Sequence, residues 1–464
     1  MASHEPRLVC QGCGTEVPFE EPLPFRCANR KHGDEVDHLV SIEWHGQKPL
    51  TTVESDPNPF IAFRHSMYSY AWSMGQGLRD EDYIKALRNV DSMLETMSAP
   101  LFRFTPLKRS ESLNVWFKDE TGNVAGSHKA RHLLGLAQHF DSVERSGKTK
   151  GVSIGTRQKP LAIASCGNAA LAAAVIAHAT GRILRVFIPT SAEAVVVDEL
   201  KRLGAEIVPC ERGDDSPPGD PCFHAFQAAV EAGAVPFTCQ GSENGLTIDG
   251  GMTLGFELAQ QLTEANVQLD HLFLQVGGGA LGSSTCQALR RTQAEGASLP
   301  AIHAVQTRGC QPLVRAWRQL ASDLKDKLPG GTQVHLQEDQ RLARWLHEHY
   351  DGDIAETIFL DAKHNRSRYM RPVDRPLSSI ADGILDDETY DWFVLCRAMI
   401  ETGGWPVVVA EDDLRWARAA ASAANDRPVS ATGAAGLAGV RAARRAGHLS
   451  VDASIGVLFT GIER

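Results

Sequence analysis

From about residue 101 the chain alternates short apolar runs with stretches of helical period. VWFKDE (Val115–Glu120), LAIAS (Leu161–Ser165), ILRVFIP (Ile183–Pro189), AEIVPC (Ala205–Cys210) and HLFLQV (His271–Val276) are five to seven residues long and mostly apolar. Runs of that length and composition predict strands covered on both faces. Ser127–His139, Asn168–His178 and Ala192–Leu203 space their apolar residues three and four apart, which predicts helices between the strands. The alternation predicts an α/β protein with two parallel-sheet layers. It fades between Gln311 and Trp392, where Arg, His, Asp and Pro are frequent, and this segment reads as an insertion of helices and loops. It returns with WPVVVA (Trp405–Ala410), the run TGAAGLAGV (Thr432–Val440) and a closing strand SIGVLFTG (Ser454–Gly461).

Ahead of the alternation the texture differs. The first 45 residues stand apart by their Cys and His content, and Pro57 and Pro59 precede a helical stretch, DEDYIKALRNVDSMLETM. The expected organisation is a Cys/His-rich segment over 1–45 and a linker with helices over 46–100. A large unit follows over 101–160 and 246–464, carrying the insertion 311–392, with a smaller, mobile unit over 161–245. A hydrophobic share of 43% suffices for large cores, and the net charge of -10 carries no basic block of the kind that binds nucleic acid. No apolar run approaches membrane-spanning length, and MASHEPRLVCQGCG has no apolar leader core. The ten cysteines lack the spacing of a disulfide scaffold, so reduced thiols and a cytoplasmic setting are expected, with no membrane and no nucleic-acid partner.

Four places carry candidate chemistry. AGSHKARHLLG (Ala125–Gly135) puts His128, Lys129 and Arg131 in the first turn of a helix, the end whose dipole disfavours cations. A lysine there deprotonates more easily, and neutral amines are the form that attacks carbonyls. SCGNAA (Ser165–Ala170) turns from strand to helix with small residues, which lets backbone N–H groups approach a carboxylate. VGGGALGSS (Val276–Ser284) is a glycine turn that opens a helix, suited to a phosphate, yet it is neither a dinucleotide fingerprint nor a Walker loop. Thr460 ends the last apolar strand with a hydroxyl able to face a ring nitrogen. An amine, a phosphate turn, an amide at Asn168 and a strand-end hydroxyl together point to pyridoxal phosphate.

LFRFTPLKRSESLNVWFKDETGNVAGSHKAR resembles the TPL…K-x-E…G-S-F/H-K run of the fold type II pyridoxal-phosphate enzymes. That group holds threonine synthase, the serine/threonine dehydratases and the tryptophan synthase β subunit. RVFIPTSAEAVVVDELKRLGAEIVPCE resembles the LGAEV unit of their smaller domain. The resemblance covers Leu101–Arg464 with the insertion as a gap, and its nearest pattern is threonine synthase-like. It implies a tryptophan synthase β-like fold of two α/β domains and an internal aldimine on Lys129. It implies that Asn168 lies near the ring oxygen and that the amides of Ser165, Gly167, Asn168 and Ala169 hold the substrate carboxylate. Gly277, Gly278, Gly279, Ala280 and Leu281 would cup the phosphate, Thr460 would face the ring nitrogen, and His128 would lie near the phosphate as in the tryptophan synthase β subunit. The acidic residue that follows the lysine of threonine synthases is Ala130 here.

Cys10, Cys13, Cys27 and His32 have a spacing that fits a zinc-ribbon-like segment, with His38 able to replace His32. Such a segment often precedes threonine synthases. Its second knuckle departs from the pattern, because Arg30 stands where a cysteine is usual.

The expected function is β- or γ-elimination on a small amino acid by a homodimeric lyase, of the ammonia-lyase or threonine synthase type. Lys129 would remove the Cα proton. The alternatives are a β-replacement synthase of the tryptophan synthase β or cysteine synthase type, and a non-catalytic module that binds a phosphorylated ligand.

Overall fold

The computed structural model describes residues 6–31, 33–44, 53–149, 153–211, 219–293, 297–335, 337–373 and 377–464. The chain first lays down β1 (Pro6–Cys10), β2 (Glu16–Val17) and β3 (Val40–Trp44), a small antiparallel sheet of order β2-β1-β3. β4 (Leu107–Ser110) and β5 (Val115–Asp119) then form a hairpin. β6 (Leu161–Ala164), β7 (Leu184–Pro189), β8 (Glu206–Cys210) and β9 (Val235–Pro236) make a four-stranded parallel sheet of order β8-β7-β6-β9. β10 (His271–Gln275), β11 (Ala301–Thr307), β12 (Val407–Val409) and β13 (Ile455–Phe459) join the earlier hairpin in a six-stranded sheet of order β12-β11-β10-β13-β5-β4. Only the β4–β5 pair of that sheet is antiparallel. This is the α/β fold expected from the alternation.

β13 shows why the pattern was readable. All five of its residues are buried, because it lies between β10 and β5 with helices on both faces. One apolar core surrounds the six-stranded sheet and takes in Trp317, Tyr369 and Trp392 from the inserted region. A second joins the four-stranded sheet to the N-terminal segment and the helix Lys129–Arg145. The insertion is therefore packed structure: the helices Pro312–Lys327, Asp339–Glu348 and Gly352–His364 build onto the large sheet. Among the described residues no helix is long and apolar enough to cross a membrane.

The strand ends matter most. The loops after β6, β10 and β13, and the turn that follows β5, leave from the carboxyl ends of parallel strands, the edge where open α/β sheets bind ligands.

Candidate active site

Lys129 begins the helix Lys129–Arg145. The chain reaches it through a turn in which Ala125 (φ 53°) and Gly126 (φ 64°) are both left-handed. Ser127 pairs with Gly461 as an isolated antiparallel bridge, and the His128 N–H donates to the Thr460 carbonyl at 3.2 Å. The half-buried lysine is thus fixed beside the end of β13.

The three basic residues of the first turn meet three different fates. Arg131, 1% exposed, folds back under the helix. It donates to Glu120 at 2.8 and 2.9 Å and to Glu257 at 2.6 Å, while Lys118 Nζ lies 2.7 Å from Glu257. Thr105 also donates to Glu120 and Glu257. This buried network is the reason for the FKDE run, since Lys118 and Glu120 lie on the same side of the chain as it leaves β5. Burial alone would push Glu120 up, but the charge of Arg131 outweighs it and holds the carboxyl below its usual range.

His128 is neutral. Burial, followed by the charges of Lys129 and His132, pushes it well below the usual histidine range. Its Nδ1 lies 3.2 Å from the Thr460 carbonyl and carries the proton there, while the buried Nε2 meets no partner among the described residues. His128 therefore offers the site a lone pair and no N–H. Lys129 faces acids instead: its charge acts on Asp386 and Asp391, and also on Cys239.

The other sequence-marked groups gather around the lysine. Thr460, 2% exposed, accepts a 2.6 Å hydrogen bond from Gln275 Nε2, which leaves the hydroxyl proton free for another acceptor. Gln275 also donates to the Gly433 and Leu458 carbonyls, so its orientation is fixed. Asn168 opens the helix Asn168–Ala179, and a Cβ at Gly461 would stand 2.8 Å from its Nδ2. Arg464 donates to Asn168 Oδ1 and to the Ala125 carbonyl. In the loop before Asn168 the Gly167 N–H donates to Ser165 Oγ at 3.4 Å, and no atom lies within 4 Å of a Cβ position at Gly167. Ser165, Gly167, Asn168 and Ala169 thus line open space at a helix start. Cys166, in the same loop, is exposed.

Gly277, Gly278, Gly279, Ala280 and Leu281 join β10 to the helix Ala280–Thr292. Gly279 takes the left-handed φ of 105° and no side chain caps the helix, so its first N–H groups lack an intrahelical partner. The turn is roofed by residues 384–391 of the insertion. A Cβ at Gly277 would collide with Asp386 and Ile384, and one at Gly278 would stand 2.8 Å from the Tyr390 ring. The Thr389 hydroxyl donates to the Gly277 carbonyl at 2.9 Å, and the Asp391 N–H to that of Gly278 at 3.1 Å. The Gly278 N–H already serves an oxyanion, the Asp386 carboxylate. An amine, an anion-binding glycine turn, a hydroxyl with a spare proton and a side-chain amide thus meet in one cleft. These residues fit pyridoxal phosphate.

Sequence reasoning missed Gln275, Arg464, Asp386 and Asp391. Gln275 carried the clearest signal, a lone amide closing the apolar strand HLFLQ. The two acids carried none, because their segment matched no pattern.

A second cluster forms in the N-terminal segment. The ligand atoms of Cys10, Cys13, Cys27 and His38 all lie within 4.8 Å of one another. Three thiols and an imidazole suit tetrahedral zinc, and Asp34 Oδ2, 2.9 Å from His38 Nε2, is a fitting outer partner. His32, expected as the fourth ligand, lies outside the described residues, and His38 takes that corner. Within the insertion, the run HNRSRYMRP (His364–Pro372) forms an internal interface: Arg366 pairs with Glu388 at 2.8 Å and with Asp37 at 3.3 Å, and Tyr369 is fully buried.

Residues 98–358, more than half of the chain, match the family model described as pyridoxal-phosphate dependent enzyme. The chain is similar to the biosynthetic L-threonine dehydratase of Haemophilus influenzae, 26% identical over 219 residues that cover 46% of this chain and 38% of that protein. It is also similar to an L-serine dehydratase of Saccharomyces cerevisiae, 28% identical over 239 residues, 48% of this chain and 66% of the other. The chain thus spans about a third to two thirds of these relatives. Among solved structures, maize serine racemase superposes with a TM-score of 0.54 at 20% identity, covering 82% of this chain and 93% of the other. Diaminopropionate ammonia lyase from Escherichia coli gives 0.54 at 16% identity, covering 90% and 93%. At these identities the superpositions speak for the fold alone.

Proposed function

The chain belongs to the pyridoxal-phosphate dependent enzyme family, and on that premise we propose that it is an ammonia-lyase that eliminates a leaving group from a small amino acid. The observation that carries this reading is the Gln275–Thr460 pair. The Thr460 hydroxyl, held by the Gln275 amide, would meet the ring nitrogen of a bound cofactor without protonating it, which would favour elimination over transamination. The dehydratase relatives support the same reaction class.

In this reading Lys129 holds the cofactor aldehyde, Gly277–Leu281 its phosphate, Asn168 its ring oxygen and Thr460 its ring nitrogen. The bound cofactor supplies an electron sink that makes the substrate Cα–H acidic. Lys129 Nζ takes that proton as general base, from the amino end of its helix. The N–H groups of Gly167, Asn168 and Ala169 and the Ser165 hydroxyl hold the substrate carboxylate; the Ser165 N–H, expected to join them, instead donates to the Phe187 carbonyl at 3.2 Å, and Asn168 is itself oriented by Arg464. His128, neutral, donates Nδ1–H to the Thr460 carbonyl and so keeps the Lys129 turn tied to β13. Threonine synthase chemistry is the less favoured form, because Ala130 replaces the acid after the lysine. The N-terminal cluster holds structural zinc in the same proposal.

Lys129→Ala tests the reading. The purified variant is expected to lack the visible cofactor absorbance of the wild type and to lose at least about a thousand-fold in 2-oxo acid release from serine or threonine, with its unfolding midpoint preserved. Retained absorbance with retained activity overturns it.

A further inference from the structure

The glycine turn already touches an anion that belongs to the chain. Asp386 Oδ2 lies so close over Gly277 that a Cβ there would collide with it, and a Cβ at Gly278 would stand 3.6 Å away. The same carboxylate accepts the Gly278 N–H. The N–H groups of Gly279, Ala280 and Leu281 meet no acceptor among the described residues. One donor of the turn is thus engaged by Asp386, and its neighbours remain available to a phosphate.

Asp386 is held at this place by its own backbone. Its carbonyl accepts from Cys310 Sγ at 2.9 Å, and the Asp387 carbonyl accepts from the Val373 N–H at 3.0 Å. Thr389 ties the same segment to the Gly277 carbonyl. With the main chain pinned over the turn, the half-buried carboxyl stays beside whatever anion the turn receives.

A phosphate and a carboxylate that meet on adjacent amides repel each other, and the group that gives way is the one more easily protonated. The surroundings favour protonation of Asp386. Burial is the largest influence and pushes it up to about 6, which the charge of Lys129 and the Gly278 N–H only partly offset. Asp387, on the same segment, and Asp220, which caps the helix Pro221–Glu231, add negative field. Tyr390 feels the Asp386 charge and is itself raised, so it stays a neutral phenol. An arriving phosphate pushes the same way as these acids. Once protonated, the carboxyl has an O–H to donate to a phosphate oxygen.

We propose that Asp386 is a proton-dependent ligand of the cofactor phosphate: a carboxylate on the Gly278 amide before the cofactor binds, and a protonated donor to the phosphate afterwards. Loading then takes up one proton from solvent at this side chain, and no covalent bond to phosphorus forms or breaks. The proposal rests on the reading of the cleft as a pyridoxal-phosphate site.

The test titrates the cofactor-free full chain with pyridoxal 5'-phosphate and with pyridoxal, following absorbance. Pyridoxal lacks the phosphate, so the ratio of the two dissociation constants isolates the phosphate contacts and cancels general damage to the site. Asp386→Asn keeps the shape of the side chain and removes its charge. At pH 8 the preference for the phosphorylated form is expected to be about ten-fold higher in Asp386→Asn than in the wild type. At pH 5.5, where the wild-type carboxyl is already protonated, the two proteins are expected to agree within about two-fold. Both share the titration of the phosphate itself, so the difference between them belongs to Asp386. Binding heats at pH 8 in buffers of different ionisation enthalpy are expected to show the wild type taking up about one proton more than the variant. A preference that Asp386→Asn leaves unchanged or lowers at pH 8, or equal proton uptake by the two proteins, overturns the proposal and leaves the cleft reading standing. A chain that binds the phosphorylated form no better than pyridoxal, in wild type and variant alike, overturns the reading of the cleft itself.

Discussion

Two sets of buried charges flank Lys129, and they are built on opposite plans. Beneath its helix, Arg131, Lys118, Glu120 and Glu257 are all within 1% of full burial, and each charge has an opposite partner at 2.6–2.9 Å. Above it, Asp391 is as deeply buried with only the Ser283 hydroxyl to steady it and no ion pair among the described residues, and Asp386 has one backbone amide. The first set is closed: two cations answer two anions, with Thr105 and Thr253 filling remaining valences. The second is open, with two anions and a lysine that the chemistry requires elsewhere. Closed networks fix a backbone, and here the one fixed is the entry to the lysine helix. Open ones keep acids that burial has raised toward neutral pH.

The comparison breaks most visibly at Arg131. Replacing it by Met leaves Glu120 and Glu257 buried with Lys118 alone, and a loss of about 3–5 kcal/mol in unfolding free energy is expected from urea titration. A loss below about 1 kcal/mol would mean that the network is not closed as described. Asp391→Asn acts in the other direction. A carboxyl raised in the folded state favours folding fully below its unfolded value near 3.8, and that contribution is lost as pH rises toward about 7. The ligand-free Asn variant is therefore expected to match the wild type near pH 4. At pH 8 it should exceed the wild type by on the order of 2 kcal/mol, read from melting curves across that range. Parallel curves would show that Asp391 is already compensated. Zinc removal sharpens the picture from the periphery. Chelation is expected to release hydrogen-exchange protection over β1–β3 while shifting the main unfolding transition by about 1 kcal/mol or less. An unchanged exchange pattern, with no zinc in the purified protein, would count against the metal.

Legibility followed chemistry that is local in sequence. β13 and β10 were plain because a strand buried on both faces has to be apolar throughout. Lys129, Asn168, the glycine turn and Thr460 each sit where a strand ends, and small or polar residues mark that change of course. What stayed hidden depends on distant pairing. Arg131 looked like a misplaced cation because its partners, Glu120 and Glu257, stand 11 and 126 residues away. Asp386 and Asp391 read as loop acids because nothing nearby announces that residues 384–391 close over Gly277–Gly279. The fourth zinc ligand was ambiguous for a related reason: two histidines stand six residues apart, and only the fold of the intervening loop chooses between them.

The placement of β13 has a consequence for how the protein is made. It is the last strand of its sheet to leave the ribosome, yet it lies between β10 and β5. Until residue 459 is available, the platform that bears Lys129 and the strand that bears the glycine turn have no partner between them. The four strands of the smaller sheet, all within residues 161–236, can pair far earlier. Nascent chains are thus expected to carry a folded small sheet and an unjoined large one. Cofactor capture then waits until β13 has emerged and joined the two.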